Sequence, residues 1–93
     1  MKILLDGRRM GSPAEAHNYL KEAMNFPDYY GENLDALWDM ITTIDHPIFV
    51  VLNFSGRMRE SLGEYGKKLI STFKEATREN PNLHFHEKKW RYF

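Results

Sequence analysis

The chain has 93 residues, 42% of them apolar, with 13 basic and 13 acidic side chains and no cysteine. That length fits one domain with its own core, and the lack of thiols excludes disulfides, thiolate metal sites and cysteine nucleophiles together. Zero net charge argues against a general nucleic-acid binder.

Lys2–Asp6 is a short apolar-centred run ending at Asp6-Gly7, which predicts a first strand followed by a turn. Its apolar residues fall far short of a signal peptide or a membrane span, so a soluble cytoplasmic protein is expected. Ser12-Pro13-Ala14-Glu15 then combines an N-cap serine, a proline at the first helical position and a glutamate able to return a bond to the cap. Ala16, Tyr19, Leu20, Ala23 and Met24 recur at helical spacing, and Phe26-Pro27 stops the helix. Asp28-Tyr29-Tyr30-Gly31-Glu32 reads as a loop, and Asn33 caps a second helix over about residues 34–44.

On that second helix, Leu34, Leu37, Met40, Ile41 and Ile44 cluster on one face. Asp35, Asp39 and Thr42 lie opposite, with Trp38 at the border. Ile48-Phe49-Val50-Val51-Leu52 is a continuous apolar run of the kind found in strands buried on both faces. Ser55 can cap a short helical turn before Gly63. A longer helix from about Glu64 to Glu79 turns Tyr65, Leu69, Phe73 and Ala76 inward. Past Asn80-Pro81, Leu83 and Phe85 alternate with His84 and His86, which fits a third strand at a sheet edge. The order β-α-α-β-α-α-β leaves long crossovers between consecutive strands, so an α/β fold with a three-stranded parallel sheet is expected. Residues 1–93 form one domain in this reading.

Charge is distributed unevenly. Residues 1–21 carry +2 and residues 57–93 carry +4, whereas residues 22–56 hold six acids (Glu22, Asp28, Glu32, Asp35, Asp39, Asp45) and no Lys or Arg. This predicts an acidic patch. Within it, Tyr29, Tyr30 and Trp38 stand beside Asp28, Glu32, Asp35 and Asp39, and aromatic anchors ringed by charge are favoured at protein interfaces. Core packing can claim one or two of those rings.

Phosphate-binding glycine loops, zincin helices, calcium loops and nucleophile elbows are all absent. Asp35 and Asp39, at i and i+4, could form an acid/base pair or hold a divalent cation. On the solvent side of a helix, however, neither has the burial that general acid work needs. His84 and His86 share one strand face, but two ligands rarely make a metal site, so no metal or cofactor is expected. The tail Lys88-Lys89-Trp90-Arg91-Tyr92-Phe93 is basic and aromatic, a composition that fits a packed or frayed terminus better than a nucleic-acid platform.

The stretch from Pro27 to Asp39, with Tyr29-Tyr30-Gly31-Glu32-Asn33-Leu34-Asp35-Ala36-Leu37-Trp38-Asp39 inside it, resembles the signature of the barstar family of ribonuclease inhibitors. Phe73-Lys74-Glu75-Ala76 resembles the family's last-helix motif, and the order of elements matches up to about His86, leaving the tail 88–93 outside. The resemblance implies a barstar-like sheet and a cytoplasmic inhibitor of a small guanyl-preferring, barnase-like microbial ribonuclease. It carries interface roles to Tyr29, Asn33, Leu34, Asp35, Trp38, Asp39, Thr42 and Glu75, with Asp39 in the place of a substrate phosphate. A 1:1 complex with the enzyme and a monomer when free go with it, and no nucleic acid or membrane is contacted. The pattern departs at Thr43 and Ile44, where the best-known family sequences have glycine and tryptophan, so one flank of the contact surface must differ. Two alternatives stand beside the inhibitor: an enzyme using the Asp35 and Asp39 carboxylates with or without Mg²⁺, and an immunity protein against a different nuclease toxin.

Overall fold

The computed structural model describes residues 1–90. Arg91, Tyr92 and Phe93, the end of the basic aromatic tail, lie outside the described residues. Three strands, β1 (Lys2–Asp6), β2 (Ile48–Asn53) and β3 (Leu83–Glu87), form a parallel sheet in the order β1-β2-β3. A 3₁₀ turn at Gly7–Arg9 and two helices, α1 (Pro13–Ala23) and α2 (Leu34–Thr42), connect β1 to β2. Helices α3 (Ser55–Leu62) and α4 (Glu64–Glu79) connect β2 to β3. The expected α/β order is the observed one.

Two crossovers of the same hand that step in the same direction place their helices on one face of the sheet. Burial follows that rule. Ile3, Leu5, Ile48, Val50, Leu52 and Leu83 are buried under the helices, while alternate positions face away. The expectation that β2 is buried on both faces therefore needs correction: Phe49 is 47% exposed and Leu4 on β1 is 55% exposed. An unbroken apolar run does not distinguish a doubly covered strand from one whose outer face is merely apolar. His84 and His86 lie on this open face as well, and the His84 ring stacks on Phe49 with centroids 4.4 Å apart.

The predicted helix starts are present. Ser12 Oγ accepts from the Glu15 N–H at 3.2 Å, and the Glu15 carboxylate closes on the Ser12 hydroxyl. Asn33 Oδ1 accepts from the Ala36 N–H at 2.7 Å. Ser55, expected as a cap, instead donates its hydroxyl to Glu87 at 2.7 Å, and Phe54 occupies the cap position in the left-handed region (φ +56). Helix α2 ends at Thr42, two residues before the expected end. There the hydroxyls of Thr42 and Thr43 donate to the carbonyls of Trp38 and Asp39, each at 2.7 Å.

The core lies between sheet and helices, with Phe73, Leu69 and Ile70 of α4, Leu37 and Ile41 of α2, and Leu20 of α1 all buried. Packing of Leu37 and Ile41 against this core decides which way α2 turns its other side. A nine-residue helix is too short to be stable alone in water, so its orientation is set by this tertiary contact.

A candidate protein-binding face on the second helix

With Leu37 and Ile41 inside, helical periodicity puts Asp35 and Asp39 outside, and both are exposed. Asp35 sits in the first turn, where the helix dipole favours an anion. Asp39 is a full turn further in. Among the described residues neither carboxylate has an ion-pair partner. The other acids of residues 22–56 are exposed too, although Asp28 lies 3.7 Å from Lys21 Nζ and Asp45 beside His46.

The three aromatic rings part company. Tyr29 is 81% exposed, Trp38 is half-buried against the core, and Tyr30 is only 4% exposed. Tyr30 is thus the ring the core claims. Leu34 is half-buried beside the core, and Asn33 both caps α2 and donates from its amide to the Gly31 carbonyl at 3.3 Å. Thr42 is half-buried with its hydroxyl turned back on the helix. Tyr29, Asn33, Leu34, Asp35, Trp38, Asp39 and Thr42 therefore come from one loop-helix segment. Glu75 comes from elsewhere, on the exposed side of α4, the helix against which α2 packs.

Sequence reasoning missed what anchors this segment. His17, on the buried stripe of α1, is 1% exposed, and its ring lies between two tyrosine hydroxyls. Nδ1 is 2.7 Å from Tyr30 Oη and Nε2 is 2.5 Å from Tyr65 Oη on α4. In either neutral tautomer one ring nitrogen donates to one hydroxyl and the other accepts from the second hydroxyl. Burial pushes the His17 pKa down, partly opposed by the Glu32 charge. Burial likewise pushes the Tyr30 phenol up, with Tyr65 and Glu32 adding to the shift. At the far end, the Asn80 side-chain amide donates to the carbonyls of Ile41 and Ile44, both at 3.0 Å. The only sequence signal for either anchor was polarity at a buried position, and it named no partner.

Beyond Asp39 and Thr43, the flank of α2 opens on an apolar cleft of about 280 Å³, whose walls include Met24, Phe26, Met40 and Ile44. Ile44, one of the two positions that depart from the expected pattern, lines it, and the neighbouring Thr43 is exposed. No group of three His, Asp or Glu side chains able to hold a metal occurs among the described residues. No helix among them is long and apolar enough to cross a membrane.

This geometry offers a preformed anionic helix face with half-buried and exposed aromatics beside it. Such a face satisfies donors on another molecule. The family model described as "Barstar (barnase inhibitor)" matches residues 1–88. A Bacillus subtilis (strain 168) protein named "Putative ribonuclease inhibitor YrdF" is 40% identical over 79 residues, covering 84% of this chain and 87% of that protein.

Proposed function

Because the chain belongs to the barstar family of ribonuclease inhibitors, we propose that it blocks a small guanyl-preferring, barnase-like ribonuclease by seating α2 and the loop before it in the active site. It is a binding protein, not an enzyme. A ribonuclease must present Arg, Lys or His to a phosphodiester, and the Asp39 carboxylate takes the place of that phosphate for the same donors. Asp35 adds charge, while Tyr29, Leu34, Trp38 and Thr42 exclude water around the ion pairs. Asn33 holds the helix start, and Glu75 contacts the enzyme from α4. The complex is 1:1, the free protein is a monomer, and it acts in the cytoplasm.

The observation that carries this reading is the split of α2. Leu37 and Ile41 are fully buried while Asp35 and Asp39 are exposed and unpaired among the described residues. Little conformational entropy remains to be lost when such a helix binds. Titration of barnase-catalysed RNA cleavage with the purified protein tests it. Asp39→Ala is expected to weaken inhibition by about two to three orders of magnitude, the range for truncating one side of a buried charge pair, a range set in part on barnase and barstar themselves. Its urea midpoint should barely move, because exposed positions change stability by about 0.5 kcal/mol at most. Unchanged inhibition by Asp39→Ala would refute the phosphate-mimic role.

The cleft at Met40 and Ile44 favours a second reading of the target. A protein of this shape could serve as an immunity protein against a nuclease toxin whose own apolar side chain enters the cleft. Failure to inhibit barnase, with inhibition of such a toxin nuclease, would select it.

A further inference from the structure

Leu34, Leu37 and Ile41 hold α2 against the core by apolar burial, an attraction that is itself non-directional. Hydrogen bonds are directional, and they sit at the two ends of the segment that carries Asp35 and Asp39. At the leading end, Tyr30 is bonded to His17, which is bonded in turn to Tyr65 in the first turn of α4. At the trailing end, Asn80, which ends α4, donates both amide hydrogens to α2's last turn and the residues after it, at Ile41 and Ile44. Its Oδ1 accepts from the Asn82 N–H at 3.0 Å, and the Asn82 amide donates to the Ile44 carbonyl at 3.2 Å. The amide orientation of Asn80 is thereby unambiguous, since a flipped amide would set oxygen against two carbonyls.

From these contacts we propose that Tyr65 and Asn80 are positioning residues of the inhibitor: α4 grips the recognition segment at both ends and fixes the axial register of Asp39. The two grips stand about 22 Å apart along α4 at 1.5 Å per residue, longer than α2 itself. Helix ends leave carbonyls without partners, and α2 has no basic residue in its last turn. The Asn80 amide supplies the missing donors from a buried position. A carboxylate that must meet several fixed donors tolerates errors of only about 0.5 Å, so register controls how long the complex lasts. The proposal rests on the inhibitor reading for its functional meaning and on α4's contacts for its mechanics.

The test uses Tyr65→Phe, which removes one hydroxyl without changing shape, Asn80→Ala, and a control, Ile3→Val, which trims the core under β1 away from α2. Association and dissociation rates with barnase are followed by stopped flow, alongside urea midpoints and amide hydrogen exchange. Tyr65→Phe and Asn80→Ala are each expected to speed dissociation about tenfold, the equivalent of one hydrogen bond. Ile3→Val, at a similar loss of midpoint, should leave dissociation unchanged. Equal dissociation rates in the two clamp variants and the control would overturn the proposal. Should the wild-type protein fail to bind barnase, the barnase-like assignment falls and the clamp is read from exchange alone. Amides of residues 37–45 must then exchange faster in the clamp variants than in the control, and equal exchange overturns it.

Discussion

Helices α2 and α4 lie side by side, and each buries one face, but they treat their outer faces differently. Along α4, some charges are paired within the chain: Lys67 pairs with Glu64 at 3.4 Å, and Lys74 reaches Glu87 at 3.3 Å. Glu87 is also bound by Arg59 and Ser55, and although burial pushes its pKa up, these hydrogen bonds and the Arg59 charge outweigh it and hold it below the ordinary value. Along α2 the only charged side chains are carboxylates, and the chain provides Asp35 and Asp39 with no cation among the described residues. Part of α4's charge is thus tied down within the chain, whereas the two carboxylates of α2 have no ion pair among the described residues.

The largest expected effect breaks the stable side of that comparison. Phe73 on α4 is fully buried and stacks on Phe85 with centroids 4.9 Å apart. Phe73→Ala should cost about 3–5 kcal/mol of stability, the usual range for opening a core cavity of that size. Urea unfolding measures it, and a cost below about 1 kcal/mol would mean that α4 is not the mainstay of the core.

A smaller effect concerns the link between the two helices. His17 has a folded pKa below its ordinary value of 6.5, so the unfolded chain takes up a proton first as pH falls. Stability contributed by the neutral ring is therefore full above about pH 6.5 and declines below it, down to the folded pKa. Urea midpoints between pH 7.5 and 5, compared with His17→Gln, should isolate this slope. A slope unchanged by the substitution would assign it to other groups.

The smallest effect sharpens the open side. Like charges at i and i+4 disfavour a helix by a few tenths of a kcal/mol, about 0.2–0.5. Asp39→Asn, which relieves that repulsion and leaves the favourable first-turn Asp35 in place, should hence raise stability slightly while slowing association with a ribonuclease and flattening its dependence on salt. Stopped-flow rates at low and high ionic strength would show this, and an undiminished salt dependence would place the steering charge elsewhere.

The sequence was legible wherever a local pattern sufficed. Period-3.6 spacing placed Leu37 and Ile41 inside and Asp35 and Asp39 outside, and the caps at Ser12 and Asn33 were visible from residue type alone. What could not be read depends on residues far apart in the chain. Ser55 faces a choice between capping α3 and binding the part-buried Glu87 carboxylate, 32 positions away, and the carboxylate wins because a charge partly withdrawn from water needs donors more. His17 meets Tyr65 across 48 positions, and Asn80 meets Ile41 across 39. The open face of the sheet depends on the strand order, which periodicity does not encode. Of the candidate site, the outward face of α2 was thus readable, whereas the grips that locate it were not.

That one-sided sheet has a colloidal consequence. Its two edges are unequal: on β1 the Asp6 N–H is taken by the Tyr19 hydroxyl at 2.9 Å, while β3 has no strand partner but β2 among the described residues. A sequence pI near 6.9 leaves little net repulsion at neutral pH to keep such edges apart. Protection against edge-to-edge association falls to brevity, since β3 is five residues long, and to the histidines at alternate positions along it.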